Sequence, residues 1–446
     1  DEFIITINGT KIPNFTIGTG SSAGTQIILP KTVSYQAHPD RTKSPDDVEI
    51  KLTKSAITRL SNNLPEAYNY KELGETWSAP RIFRLPNTGA GDNNIEDDIY
   101  VAVMGGGYGG RDDKVGSALF VVNLEDNITP GKLEKVISIK DEVNLPIVNS
   151  VPGTPVVITP DVARGIKYKG ALVYVNDFEG KITKFNLTNM ENDGAGKNIK
   201  LYDSTILLNI KADRNNGRYQ YHSMDAGIGR TSQNFWMFSG TGDYERLTSK
   251  DTNIDNLMFG FRDKDYPLFK EYSDPITIMH GLEKCMDTTG DTLGVKCPLT
   301  TKDVSRTARS KKNLGWFIKL PHSQKVTAEP TIANGLVYYP IFEPSASANQ
   351  CSLGLALICA VDDECGKNVS SQLGNLKDQK IDGQIYSGKT CYAVGQGVLS
   401  RLVVFANKLF ANIAGKSVQD KTDLVVIDAG ESDIESFRNS WREGNF

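Results

Sequence analysis

The chain has 446 residues, 39% of them hydrophobic and 23% charged, a balance that can bury a large core. Its formal net charge of −4 gives no overall pull toward nucleic acid or an anionic lipid surface. No run is long and apolar enough to span a bilayer.

The chain opens on Asp1 and is expected to be the C-terminal part of a longer protein. Residues 1–43 alternate apolar and polar residues around Gly and Asn turns, as in Phe3, Ile5 and Ile7, which suits edge strands that close a ring. Ser44 and Pro45 are helix-start residues, and Asp46 and Asp47 suit the positive end of a helix dipole. Val48, Leu52, Ala56 and Leu60 then recur every four residues, so a helix is expected near residues 44–62.

From Trp77 a different grammar begins. Trp77-Ser-Ala-Pro80 leads into Arg81-Ile-Phe83, then the apolar runs Asp98 to Met104 and Ala118 to Asn123. Ser150 to Leu187 repeats it more clearly, with short strands at Val156 to Ile158 and Leu172 to Val175. An Asp177-Phe-Glu179-Gly180 turn follows, then an alternating strand through Ile182, Phe185 and Leu187. Strand character resumes at Leu201 to Ile210, Asn234 to Gly240, Leu257 to Arg262 and from Trp316 to about Asp428. Short strands joined by turns, with no helical period between them, make antiparallel meanders, the sequence shape of propeller blades. Pro80 and Pro155 are 75 residues apart, whereas a blade takes about 40 to 50 residues, so loops are inserted. The expected fold is therefore all-β: one modified β-propeller domain over 1–446 with inserted loops and one or two short helices. Residues 1–73 would hold the ring-closing strands and the helix, 74–430 the blades and 431–446 a polar tail.

All six cysteines lie late in the chain, at 285, 297, 351, 359, 365 and 391, and no pair has the spacing of a zinc knuckle. Disulfides formed in an oxidising compartment fit an even number in loop-like sequence. Six cysteines allow about 15 connectivities; the expected pairs are Cys285 with Cys297, Cys359 with Cys365, and Cys351 with Cys391.

Two motif matches fail on context. Gly383 to Thr390 matches the P-loop letter for letter, but a polar run precedes it and Cys391-Tyr-Ala-Val-Gly-Gln-Gly397, with two glycines and an expected disulfide cysteine, follows it, where a phosphate cradle needs a buried strand and a helix N-terminus. Gly105, Gly107 and Gly110 form GxGxxG, yet the next element reads as a strand and not as a helix. The four histidines, His38, His222, His280 and His322, form no HxH or HExxH, which argues against hydrolase chemistry. Calcium has one candidate loop. Asp92, Asn94, Glu96 and Asp98 offer oxygens at alternate positions, without the usual glycine and distal glutamate. The Asp177 to Gly180 segment, with two carboxylates, reads as a hairpin turn. The basic stretch around Arg306 and Lys312 lacks interleaved aromatics and reads as a solvated loop.

Several strings resemble the C-terminal propeller domain of PilC/PilY proteins, the tip and biogenesis factors of type IV pili. They are Gly74-Glu-Thr-Trp-Ser-Ala-Pro80, Val103-Met-Gly-Gly-Gly-Tyr108 with Leu119 to Asn123, and Tyr174-Val-Asn-Asp-Phe-Glu-Gly-Lys181 running on to Leu187. Phe238-Ser-Gly-Thr-Gly-Asp-Tyr244, Gly315 to Pro321, Ala328 to Ile332 and Gly335 to Tyr339 complete the series in the family's order, covering residues 74 to about 410. The resemblance implies a modified propeller of about seven blades, exported through the periplasm and displayed at the cell surface or pilus tip. There it would support pilus assembly against retraction, adhesion and twitching motility, with minor pilins as partners and no enzymatic activity. It also places a family calcium loop at Asp161 to Gly170, where Asp161 alone keeps an acidic ligand; no RGD tripeptide is present. Two other readings stay open. A quinoprotein-like dehydrogenase would also be a propeller, with a quinone and an axial calcium, although the four tryptophans here follow no repeat. A secreted carbohydrate-binding propeller unrelated to pili is the third.

Overall fold

The computed structural model describes backbone strands within residues 3–52 and most of the chain from residue 66 to residue 429. The larger segments outside the described residues are 87–97, 110–114, 126–130, 140–148, 160–167, 190–198, 278–313 apart from strand 282–286, 346–352, 370–390 apart from a few residues, and 415–423. The backbone divides into two compact units, Asp1–Lys71 and Glu72–Phe446.

In the first unit Phe3–Ile7 pairs antiparallel with Thr10–Lys11 and with Val48–Leu52, and Thr16–Thr19 pairs with Thr25–Ile28. The expected helix is therefore corrected: its first apolar residues, Val48 and Leu52, lie on a β-strand. Val48, Ile50 and Leu52 also alternate with Glu49 and Lys51, so the segment carries a strand period beside the helical one. The register decides between them, because it sets Phe3 opposite Leu52, Ile5 opposite Ile50 and Ile7 opposite Val48. Residues 53–65 lie outside the described residues. The helices among the described residues are two single 3₁₀ turns, Glu66–Tyr68 and Tyr244–Arg246.

Among the described residues the second unit is a succession of five meander sheets. The first runs Arg81–Leu85, Ile99–Gly105, Ala118–Asn123 and Leu133–Ser138. The second runs Val156–Ile158, Gly170–Asn176, Lys181–Thr188 and Ser204–Asn209, with Ile276–Thr277 added in parallel at its outer edge. Asp225–Ile228, Phe235–Gly240, Leu257–Arg262 and Gly315–Lys319 form the third, which Leu282–Met286 extends in parallel. In the fourth, Thr331–Ala333 pairs with Leu336–Glu343, followed by Leu355–Asp362 and Cys391–Gln396. The fifth carries Val403–Phe405, Lys408–Ala414 and Leu424–Asp428.

Alternate residues of these strands go to different cores. Ala171, Val173 and Val175 join Val101, Leu119 and Val121 of the first meander. Their neighbours Leu172 and Tyr174 turn the other way, toward Met237, Phe259 and Phe261 of the third. Trp236 and Phe238 leave by the opposite face of the third meander to meet Val337, Tyr339 and Cys359 of the fourth. Tyr338, Ile358 and Val394 then face Leu409, Ala411 and Ile427 of the fifth. Each intermediate meander is thus packed between its predecessor and its successor, which is propeller architecture, and all eight residues of Lys181–Thr188 are buried as a result. Each large apolar side chain buried this way contributes about 1.5–3 kcal/mol.

The disulfide pairing expected from the sequence is also corrected. Cys359 and Cys391, given different partners there, are bonded to each other across adjacent strands of the fourth meander. Cys285 lies on strand Leu282–Met286, while Cys297, Cys351 and Cys365 lie outside the described residues.

Candidate functional site

Antiparallel pairing brings the segment that enters each meander and the loop between its second and third strands to the same end of the sheet. Backbone hydrogen bonds stitch these segments together. Gly107 N–H donates to Val151 O, Phe178 N–H to Ser150 O, Gly242 N–H to Tyr219 O and Val326 N–H to Thr241 O. Gly107 has φ +86 and meets the Glu75 backbone so closely that a side chain would not fit. The GxGxxG glycines described here, Gly105 and Gly107, therefore serve close backbone packing. Gly110 lies outside the described residues.

At this end an aromatic row crosses three meanders. Trp77 enters the first meander; Tyr108 lies in its second loop, with ring centroids 6.5 Å apart. Tyr221, which enters the third meander, is the hub, 6.1 Å from Tyr108, 4.9 Å from Phe178 and 6.4 Å from Tyr244. Phe178 occupies the tip of the second meander's hairpin and stacks on Tyr219 at 4.5 Å and 11°. The two ends of the row are open, with Trp77 54% and Tyr244 44% exposed, whereas Trp236 and Trp316 are each 1% exposed.

Polar groups fix the row from behind. Tyr108 Oη donates to Glu245 Oε1. Tyr221 Oη donates to Asp243 Oδ1 at 3.2 Å, and Asp243 also accepts the Glu245 and Arg246 backbone N–H groups, capping the 3₁₀ turn that carries Tyr244. Its other oxygen pairs with Arg246 Nε at 2.5 Å. The hairpin under Phe178 is closed by Asp177 N–H on Lys181 O at 3.0 Å, with Gly180 at φ +80, the turn that the sequence suggested. Asp177 Oδ1 accepts Lys181 N–H, and Oδ2 accepts from Asn149 Nδ2. Burial nevertheless pushes Asp177 up to about 7, against the lowering influence of Lys181. Glu179 and Lys181 form a buried ion pair of 2.6 Å. His222 meets the Tyr244 ring edge-on at 5.4 Å, and burial holds it down at about 4, hence neutral near pH 7.

A second group of charges joins the entry segments of four meanders. Arg401 Nη2 pairs with Glu329 Oε1 at 3.2 Å, and Asp225 Oδ2 accepts Ile332 N–H at 2.9 Å. Burial raises Glu329 to about 7 while Arg401 opposes the shift, Asp225 adds to it and Arg81 opposes it. Arg81 lies on the first meander and Arg401 on the fifth, so the two ends of the succession share one electrostatic cluster.

Of the calcium residues that the sequence offered, Asp98 is among the described residues. Asp98 stands at the start of strand Ile99–Gly105, with its Oδ2 2.9 Å from Arg84 Nε, whose guanidinium lies over the Tyr168 ring. Asp92, Asn94, Glu96 and Asp161 lie outside the described residues, as do His38, His280, His322 and Lys389. Among the described residues no group of three or more His, Cys, Asp or Glu side chains could hold a metal ion. Of the P-loop match, Gln384–Ile385 is a strand paired with Lys380–Ile381. Sequence reasoning missed the aromatic row. Its signal was an aromatic residue beside glycine or in an acidic turn in three of the strings quoted above, at Tyr108, Phe178 and Tyr244.

No protein-family model and no curated protein matches the chain. Among solved structures it is similar to the C-terminal domain of Pseudomonas aeruginosa PilY1, at 13% identity and a TM-score of 0.49, covering 81% of this chain and 74% of that one. It is also similar to the GH93 α-L-arabinofuranosidase of Fusarium graminearum (11%, TM-score 0.31, 82% and 84%) and to BamB from Moraxella catarrhalis (11%, TM-score 0.18, 74% and 93%). At these scores the propeller assignment rests on the sheets and their shared cores.

Proposed function

We propose that the chain is a non-enzymatic binding propeller of type IV pili, a tip adhesin and biogenesis factor that supports pilus assembly against retraction, adhesion and twitching motility. One observation carries the reading. Trp77, Tyr108, Phe178 and Tyr244 each belong to a different string that resembles the PilC/PilY propeller, and all four meet at a single loop end around Tyr221. A buried disulfide fits export to an oxidising compartment, with minor pilins of the tip complex as partners. Among the described residues no helix is long and apolar enough to cross a membrane.

Deleting this region in its host, with surface pili counted and the protein sought in sheared pilus fractions, tests the reading. Loss of pili or co-purification supports it. Normal piliation with no co-purification overturns it.

A further inference from the structure

The geometry points to a neutral saccharide as the ligand of the aromatic row, an inference that rests on reading that loop end as the propeller's binding face. The row is built from rings with polar edges: an indole and phenols whose bodies are apolar and whose tips hydrogen-bond. Consecutive centroids from Trp77 through Tyr108 and Tyr221 to Tyr244 are 6.5, 6.1 and 6.4 Å apart, with ring planes tilted by 42° to 50°. A sugar ring has the same duality, a C–H face that stacks on an aromatic ring and a rim of hydroxyls.

Charge argues against an ionic ligand. Glu245 accepts the Tyr108 hydroxyl, and Asp243 and Arg246 are paired to each other. An ammonium cage would need rings turned about one point; here the two exposed rings, Trp77 and Tyr244, are separated by Tyr108 and the buried Tyr221. The row is also preformed, because Tyr221 is held by Asp243 and the Phe178 beneath it by Tyr219, so little ordering cost falls on binding. His222 Nε2, in the ring that packs edge-on to the exposed Tyr244, has no hydrogen-bond partner among the described residues.

The test uses the whole chain on an array of neutral and charged glycans. Fluorescence titration with β-1,4-linked hexasaccharides of glucose, N-acetylglucosamine and xylose follows. Saturable binding of a neutral saccharide is expected. Trp77→Ala and Tyr244→Ala should each weaken it by about tenfold or more, with Trp77→Phe retaining it within about threefold and unchanged melting curves in all three. An array without any neutral signal overturns the inference. So does affinity that Trp77→Ala leaves unchanged, or saturable choline binding that the same variant abolishes. Co-purification with sheared pili by a chain that binds no saccharide would leave the pilus reading standing and remove this one. Saccharide binding with normal piliation after deletion would do the reverse.

Discussion

Cys359 and Cys391 stand directly opposite each other on adjacent antiparallel strands of the fourth meander, with Cα atoms 4.2 Å apart, and a disulfide joins them. Both are buried in the core shared with the third meander. The bond closes a segment with a sequence separation of 32, for which chain-entropy estimates give about 3–4 kcal/mol. Replacing both residues with Ala should therefore lower the unfolding free energy measured by urea denaturation by that order, less any relief of packing. Peptide mapping without reduction should recover the Cys359 and Cys391 peptides joined. Recovery of Cys359 joined to Cys365 would contradict the pairing.

The disulfide shows where local reading stops. Sequence separation favoured Cys365 as the partner of Cys359, and only the strand register sets Cys391 directly opposite it. The same limit explains the helix expected near 44–62. Val48 and Leu52 satisfy a period of four and also a period of two, and the partner that selects the second, Phe3 to Ile7, is about forty residues upstream. By contrast, the second meander was legible because Gly180 and the alternation around it encode a hairpin without outside help. Its burial was not. Lys181 and Lys184 are charged, yet both are enclosed because a sheet lies on either side. The aromatic row was hidden for a related reason: its members come from segments far apart in sequence, joined only by the stacking of successive meanders.

Stability should fall as pH rises from acid to neutral, through the buried carboxyl groups. Burial raises Asp177, from 3.8, and Glu329, from 4.5, each to about 7. A carboxyl group with a raised folded-state value binds its proton more tightly when folded. Its contribution is fully present below the unfolded value and is lost as pH rises through about 7. His222 acts in the opposite sense: lowered from 6.5 to about 4, it contributes stability at high pH that is lost as pH falls through the folded value. Asp177→Asn isolates one group. The Asn149 amide can turn its Oδ1, which accepts no hydrogen bond among the described residues, toward the new side-chain NH₂. Urea unfolding at about pH 5 and about pH 8 should show the variant gaining on the wild type as pH rises. Parallel pH curves would refute the assignment.

Lys184 of the second meander is tied to Asp263, which follows the third strand of the third, at 2.5 Å, and both side chains are 1% exposed. Tyr174 Oη donates to the same Asp263 oxygen at 2.9 Å, and Lys184 Nζ donates also to Leu268 O. Removing one partner strands a buried charge, so Lys184→Met should cost about 3–5 kcal/mol. Adding Asp263→Asn should restore part of it, because the charge left behind is gone. A double-mutant cycle by chemical denaturation measures the coupling, and additive losses would show that the two meanders are not joined through this pair.

Gly180 links the stability of a turn to the shape of the aromatic row. It sits at φ +80, and a Cβ there would lie 2.4 Å from Ile210 Cγ1, so Gly180→Ala meets backbone strain and a clash together. A loss of about 2 kcal/mol or more is expected. Gly227 offers the contrast. Its nearest neighbour would be Ile332 Cδ1 at 3.4 Å, an ordinary contact, so Gly227→Ala should stay within about 1 kcal/mol of the wild type. The turn at Gly180 also carries Phe178, which supports Tyr221 and stacks on Tyr219. Gly180→Ala should therefore change the near-ultraviolet circular dichroism of the aromatic row at temperatures where the protein is still folded, while Gly227→Ala leaves that spectrum unchanged. An unaltered spectrum in a destabilised Gly180→Ala protein would mean that the row holds its geometry without the hairpin.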